Sequence, residues 1–349
     1  MDSEIPDNGI EKKKPDDMPD LEIEGEEPEE SVWRGVYKAE HFADEVLHDY
    51  EFGIEPGESI GWTSLNDLYR IKRRQWSVIT GIPSHGKSTF LDNVMVNLAK
   101  SKHWKFLICS PENQPIERHI ESLVEIYSGK QFCHPAQLHP QHIGHGITED
   151  ELGEAMLFVN THFRFICPEE TDFNIDYILE LAQTIKNDPE AGLDFDGFVL
   201  DPYNELEHKR PPGMSETEYI SQVLSKWRRF CRSANVHGWL VAHPAKLKEI
   251  QQVVTDAKTP KKYQKPSLYD IAGSAHWRNK ADMGVVVYRN IGEKPETTEI
   301  DVQKVRFREC GSLGQADLRY DFLCNRFVEH EVELLWNRAR MRNDADRVS

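Results

Sequence analysis

The chain has 349 residues, six cysteines and a formal charge of −18 at pH 7. No run of about 18 apolar residues exists, which argues against a membrane-spanning helix. The charge is concentrated: residues 1–32 hold 13 acidic and 3 basic side chains, so the remaining 317 carry only −8. An acidic total argues against a simple basic nucleic-acid-binding surface, but a protein enclosing DNA in a narrow channel needs only local positive charge.

Residues 1–32 are rich in Asp, Glu and Pro and nearly free of aromatics. Such a segment buries too little apolar surface to offset its ordering entropy, so a disordered acidic tail is expected. It lacks the apolar core of a secretory signal and the Arg-rich, acid-poor character of a transit peptide, which points to the cytosol. Within a linker at 33–57, Phe42, Val46, Leu47 and Tyr50 share one helical face, and Gly53 is a stop. A short amphipathic helix of this kind packs either on its own domain or on a neighbouring subunit.

From residue 75 the pattern alternates. Strands are expected at 75–80, 104–109, 163–167, 195–200 and 237–242, with helices at 87–100, 114–129, 149–160, 174–187 and 216–234. Apolar strands separated by helices predict an α/β fold whose mostly parallel sheet is covered on both faces. Closely spaced strands at 283–289, 298–307 and 316–322 are expected to add to it antiparallel. With no internal boundary in this region, 58–335 reads as one domain, followed by a C-terminal tail at 336–349.

The cysteines lack a Cys-x-x-Cys pair and fit free thiols. Cys133, His134, His139, His142 and His145 cluster, but within one Pro- and Gly-containing loop rather than two separated knuckles. A polar surface loop is the expected reading there.

Five features carry chemistry. Gly81-Ile82-Pro83-Ser84-His85-Gly86-Lys87-Ser88, followed by Thr89, has the spacing of a phosphate-binding loop between strand and helix. Its backbone N–H groups face phosphates, Lys87 supplies an ammonium and Ser88 a hydroxyl for Mg²⁺. Asp201 ends the apolar strand "FVLD", where a second Mg²⁺ contact belongs; the ordinary alternative is a cap before Pro202. Glu112, in "SPEN", falls at the end of the second strand, placed either to orient an attacking water or as an acidic start to the next helix. His243, in "VAHP", suits a γ-phosphate sensor or a plain strand end. Lys304, Arg306 and Arg308 alternate in "QKVRFREC", so on a strand they share one face, as a solvated edge or as a cationic finger toward a triphosphate.

In this order, "GWTSLND", "GIPSHGKST", "SPEN", "FVLDPYN", "VAHP", "SAHWRNKADMGVVVYR" and "KVRFR" resemble the motor domain of ring-forming replicative helicases of the DnaB/Twinkle group. The resemblance spans about residues 36–330 and is greatest to Twinkle-like proteins of phages and bacteria. It implies a RecA-like P-loop fold, use of ATP and Mg²⁺, and a homo-oligomeric ring, generally hexameric, moving 5′ to 3′ on single-stranded or forked DNA. By matching position, Gly81, Ser84, Gly86, Lys87, Ser88 and Thr89 would hold phosphate, and Ser88 with Asp201 would hold Mg²⁺. Glu112 would be the general base and His243 the γ-phosphate sensor. Lys304 and Arg306 would act on the neighbouring subunit's ATP, with Arg308 outside the matched pattern. The resemblance also puts the loop after His243 at the DNA, where Lys246, Lys248, Lys258, Lys261, Lys262 and Lys265 form a local cationic segment. The 38–50 helix would close the ring against the adjacent subunit.

Two departures stand out. Only an acidic tail precedes the motor, which fits either a separate primase or loader as partner or a detached motor module. "RRQW" replaces a turn of Pro-Gly-Glu type before the first strand. A RecA/RadA-like recombination ATPase and a non-motor ATPase remain as alternatives; a nucleotide kinase would leave the cationic strand and Lys-rich loop without a role.

Overall fold

In a computed structural model of the protein, residues 35–137, 146–167, 173–188, 193–245, 263–273, 275–289 and 297–329 are described. The acidic tail, the C-terminal tail, Lys246, Lys248, Lys258, Lys261, Lys262, His139, His142 and His145 lie outside them. The chain divides into two units between Glu55 and Pro56. The first holds a 3₁₀ turn at Ala39–Phe42 and helix α1 at Ala43–Phe52, which ends at Gly53 with φ +82°. Val46, Leu47, Tyr50 and Phe52 of α1 are exposed.

The second unit is built on a nine-stranded sheet. A small ladder of β1 (Glu58–Ser59) and β2 (Arg70–Ile71) precedes it. The large sheet contains β3 (Trp76–Thr80), β4 (Phe106–Cys109), β5 (Phe163–Ile166), β6 (Gly197–Leu200) and β7 (His237–Val241), then β8 (Met283–Arg289), β9 (Thr297–Val305), β10 (Gly314–Asp321) and β11 (Arg326–Val328). Their order is β11-β10-β9-β8-β3-β7-β6-β4-β5. The six strands from β8 to β5 in that order run parallel, while β9, β10 and β11 join antiparallel. The core strands β3, β4, β6 and β7 are short and buried along their whole length because both faces are covered.

Alternate residues of the parallel strands feed two separate cores. Phe106 and Ile108 join one face with α2 (Lys87–Lys102), α3 (Ile116–Ser128) and α4 (Glu149–His162). Leu107 and Cys109 join the other, with α5 (Ile175–Asn187), α6 (Glu216–Ser233) and the short α7 (His276–Lys280). Helix starts are specified locally: Thr148 with Glu151 and Ser215 with Glu218 form capping boxes, and Asn174 caps α5.

The strands and helices expected from residue 75 onward are all present, with ends shifted by no more than two residues. One expectation fails in part. Lys304, Arg306 and Arg308 do not share a strand face: β9 ends at Val305, and Arg308 begins a 3₁₀ turn at Arg308–Cys310. A bulge opposite Gly284/Val285 leaves Gln303 as an extra residue and further disrupts the alternation.

Candidate functional site

The parallel register brings the C-terminal ends of β3, β4, β6 and β7 to one sheet edge, where ligands of open α/β sheets bind. The phosphate loop follows β3 there and opens α2 at Lys87. Its sharp curvature depends on positive φ at Gly81 (+153°), Ser84 (+63°) and Gly86 (+89°). A Cβ at Gly81 would stand 2.1 Å from the Val287 carbonyl oxygen, so this position admits glycine alone. The loop lines a cleft of about 430 Å³ shared with Glu112, Asn113, His243, Arg289, Tyr320 and Phe327.

Lys87 is buried, and its Nζ donates to the Ile82 carbonyl at 3.2 Å. Burial lowers its pKa, while Asp201 and Glu112 oppose that shift. Asp201, at the tip of β6, is fully buried, and burial pushes its carboxyl up to about 6 against a hydrogen bond from Ser88. Its Oδ1 has no hydrogen-bond partner among the described residues. The adjacent 3₁₀ turn at Tyr203–Glu205 has Pro202 as its N-cap with no side-chain cap bond, so Asp201 is not a cap. A buried carboxylate oxygen left open beside a hydroxyl is the hard oxygen donor set that Mg²⁺ takes.

Glu112 lies in the turn after β4, half exposed, and four residues ahead of α3; it therefore stands outside that helix's first turn, which Glu117 occupies. The Glu112 Oε1 is 3.5 Å from Nε2 of His243. His243 is held by its own N–H donating to Asn204 Oδ1 at 2.8 Å, while its Nδ1 is buried without a partner among the described residues. Burial, reinforced by Lys87, lowers the His243 pKa, so the ring is neutral at pH 7. Two backbone crosslinks fix the strand ends: Ser110 Oγ donates to Asp201 O at 2.9 Å, and Thr80 Oγ1 to Ala242 O at 2.6 Å.

The structure thus brings Gly81, Ser84, Gly86, Lys87, Ser88, Thr89, Glu112, Asp201 and His243 to one edge. Lys304 and Arg306 lie elsewhere. Lys304 pairs with Gly284 near the start of β8, whereas the phosphate loop leaves β3 beyond Thr80, which pairs with Val286. At about 3.3 Å per residue the two cations are roughly 10–20 Å from the loop, toward the opposite edge of the sheet. Lys265 departs from the DNA-contact expectation: its ammonium is 3.1 Å from Asp301 and 3.3 Å from Glu299, so strand carboxylates already neutralise it.

Several cleft residues had no sequence signal. His85 accepts the Arg289 N–H at 2.9 Å through Nδ1, and burial, with Lys87 and Arg289, lowers its pKa to about 4. Tyr320 and Phe327 come from the β10–β11 hairpin, which Asn93 of α2 clamps by accepting the Phe327 N–H (3.0 Å) and donating to Asn325 O (2.8 Å). Asn93 sits four residues after Thr89, and that spacing was the only available cue.

No family model matches the chain. Over 298 residues it is 37% identical to the Twinkle homolog protein, chloroplastic/mitochondrial, of Arabidopsis thaliana, covering 82% of this chain and 39% of that protein. The chain therefore spans about two fifths of that relative's length. Among solved structures, a separately solved ATPase domain superposes with a TM-score of 0.64 at 19% identity, covering 84% of this chain and 99% of the domain. A DnaB-like replicative helicase, described together with its interactions with primase, gives 0.61 at 20% identity, covering 84% and 67%. The chain is DnaB/Twinkle-like. Its fold is the RecA-like one of those ATPase domains, and the Twinkle likeness extends to a plant relative.

Proposed function

We propose that this DnaB/Twinkle-like chain is the motor of an ATP-driven DNA helicase that works as a homo-oligomeric ring, most simply a hexamer, on single-stranded DNA in replication. The observation that carries the reading is the split of charge between the two sheet edges. Lys87, Ser88, Asp201, Glu112 and His243 converge at one, and the cations Lys304 and Arg306 stand toward the other, out of reach of their own phosphate loop. A ring of like-oriented subunits places one edge against the next.

In this reading the loop amides and Lys87 bind the triphosphate, and Ser88 with the open oxygen of Asp201 holds Mg²⁺. The metal, when bound, neutralises charge on the phosphate oxygens. Glu112 orients a water and takes its proton as the water oxygen bonds to the γ-phosphorus and the bond to the β,γ-bridging oxygen breaks. His243, neutral and 3.5 Å from Glu112, reports the γ-phosphate to the loop that follows it. The Lys246, Lys248, Lys258, Lys261 and Lys262 segment of that loop contacts the DNA backbone, making binding salt-sensitive. Arg306, assisted by Lys304, stabilises charge on the neighbour's triphosphate. Helix α1, with Val46, Leu47 and Tyr50 exposed, packs on the adjacent subunit. A primase is the partner this reading names, in keeping with the primase interaction described for the DnaB-like relative. The proposal keeps the chain in the cytosol; the plant relative's name assigns that protein to organelles, and cell fractionation separates the two.

Strand displacement on forked DNA tests the reading, with ATP and Mg²⁺ and either a 5′ or a 3′ tail. Unwinding that requires the 5′ tail supports it. DNA-stimulated hydrolysis with strand pairing and no unwinding would replace it by a recombination-type ATPase.

A further inference from the structure

The sheet edge opposite the phosphate loop holds a buried carboxylate that the functional reading leaves unused. Asp282, one residue before β8, has a side chain only 1% exposed. Its main chain is stitched to two strands: its N–H donates to Trp76 O at 3.1 Å, and its carbonyl accepts the Arg306 N–H at 2.9 Å. Its Oδ2 accepts the Trp76 N–H at 3.2 Å. The other oxygen, Oδ1, is 3.0 Å from Arg306 Nη1 and 3.6 Å from Arg228 Nη2 of α6. These are ion pairs without hydrogen-bond alignment, since Oδ1 has no aligned donor among the described residues.

The neighbouring groups complete a rack. The last carbonyls of a helix lack intrahelical partners and attract cations. At the end of α7, Asn279 O accepts from Arg306 Nη2 at 3.0 Å and from Lys304 Nζ at 3.0 Å, and Arg278 O also accepts from Lys304. Arg306 is thus fixed at its backbone N–H, at Nη1 and at Nη2, yet its side chain stays 28% exposed. A guanidinium carries five donors in a rigid fork, so these contacts at Nη1 and Nη2 leave further N–H groups for a ligand. A carboxylate with no exposure is costly to bury, and hydrophobic residues of similar volume often serve packing equally well. Packing alone does not account for an acid that meets the backbone and the side chain of the same partly exposed arginine.

We propose that Asp282 is a positioning residue that holds Arg306, and through the α7 end Lys304, in the geometry needed to reach a neighbouring subunit's triphosphate. The inference rests on the shared-site reading above. It adds the group that orients the cationic finger before any neighbour arrives. Pre-organisation of this kind matters because a misplacement of about 1 Å can cost about 10²-fold in rate.

The test is a double-mutant cycle on DNA-stimulated ATP hydrolysis by the full chain: Asp282→Asn, Arg306→Ala and both together, with melting temperature and ATP binding measured on each. Asp282→Asn is expected to lower kcat by about 10- to 100-fold while leaving KM for ATP within about twofold. The double variant should match Arg306→Ala alone, because the acid acts through the arginine. Full turnover by Asp282→Asn, or a loss that multiplies onto that of Arg306→Ala, overturns the proposal. So does a lowered melting temperature with kcat per folded chain unchanged. Wild-type turnover by Arg306→Ala is a different failure: it removes the shared-site reading itself. If Asp282→Asn does not fold, Asp282→Glu keeps the charge and displaces the carboxylate. Reduced kcat at constant KM in that variant supports the proposal, and unchanged kcat overturns it.

Discussion

At the scale of single residues, the roles proposed here separate cleanly by experiment. Lys87→Ala removes the ammonium from a buried phosphate site and should abolish hydrolysis together with ATP binding; normal turnover would displace the loop as the site. Glu112→Gln should retain ATP binding, seen with a fluorescent nucleotide, while hydrolysis stops. Asp201 makes a less expected prediction. Its carboxyl is raised from 3.8 to about 6 by burial, so ionisation at pH 7 opposes folding of the metal-free chain. Asp201→Asn should therefore raise the metal-free melting temperature, by an amount worth up to about 3 kcal/mol, while ending Mg²⁺-dependent hydrolysis. Destabilisation instead would show that the carboxylate is paired in a way the geometry lacks. His119 is the opposite case. Its Nε2 is 2.9 Å from Asp92 in a buried pair joining α3 to α2, and Asp201 adds further negative potential. Although burial acts to lower the His119 pKa, the two carboxylates raise it overall. The stabilisation is complete below the unfolded value of about 6.5 and is lost as pH rises through the higher folded value. The melting temperature should fall over that alkaline interval, and His119→Asn should flatten the profile. Among these residues, Lys87, Glu112 and Asp201 were legible because strand-end position and residue type coincide. His119 and Asp92 were not, because a buried pair between helices leaves no local pattern.

At the scale of elements, period and composition were enough to place the core strands and helices. The runs "WSVIT" and "FVL" became β3 and most of β6, and the periodic stretch 216–234 became α6. The β10–β11 hairpin shows where that reading stops. Its outer strand has three residues, Arg326–Val328, too few for any periodicity, and its place is set by long-range bonds to α2 and α3. Arg326 Nε donates to Ile126 O at 2.7 Å, and Asn93 bridges Thr89 O and the hairpin backbone. Asn93→Ala would leave the Phe327 N–H without its partner, at a cost of about 1–3 kcal/mol. Because the Phe327 ring lies against Gly86, the expected result is a several-fold higher KM for ATP with kcat retained. An unchanged KM would mean that the hairpin does not shape the nucleotide cleft. The cationic run "QKVRFREC" shows the converse error. Alternation suggested one face, but the bulge and the end of β9 at Val305 leave only Lys304 on the strand, and Arg306 is placed by Asp282 and the end of α7.

At the scale of the whole molecule, the central claim is that each ATP site is completed by a second copy of the chain. A single chain has the phosphate loop at one sheet edge and Lys304 with Arg306 held toward the other, a separation that no side chain bridges. The sequence held the parts of this arrangement, since motif order identified both groups. Their separation within one chain follows from strand order and from the antiparallel return of β9. Helix α1 belongs to the same picture: Leu47→Asp should lower the oligomer mass seen in sedimentation, and an unchanged mass would remove α1 from the interface. The most direct measurement mixes two inactive variants, Lys87→Ala and Arg306→Ala, and follows DNA-stimulated ATP hydrolysis. Each alone should be nearly silent, Arg306→Ala by about 10³-fold or more. In mixed assemblies, an intact loop from an Arg306→Ala subunit meets an intact finger from a Lys87→Ala subunit, and turnover should reappear in proportion to that pairing. Mixtures that exchange subunits yet stay as inactive as their components would contradict a site shared between copies.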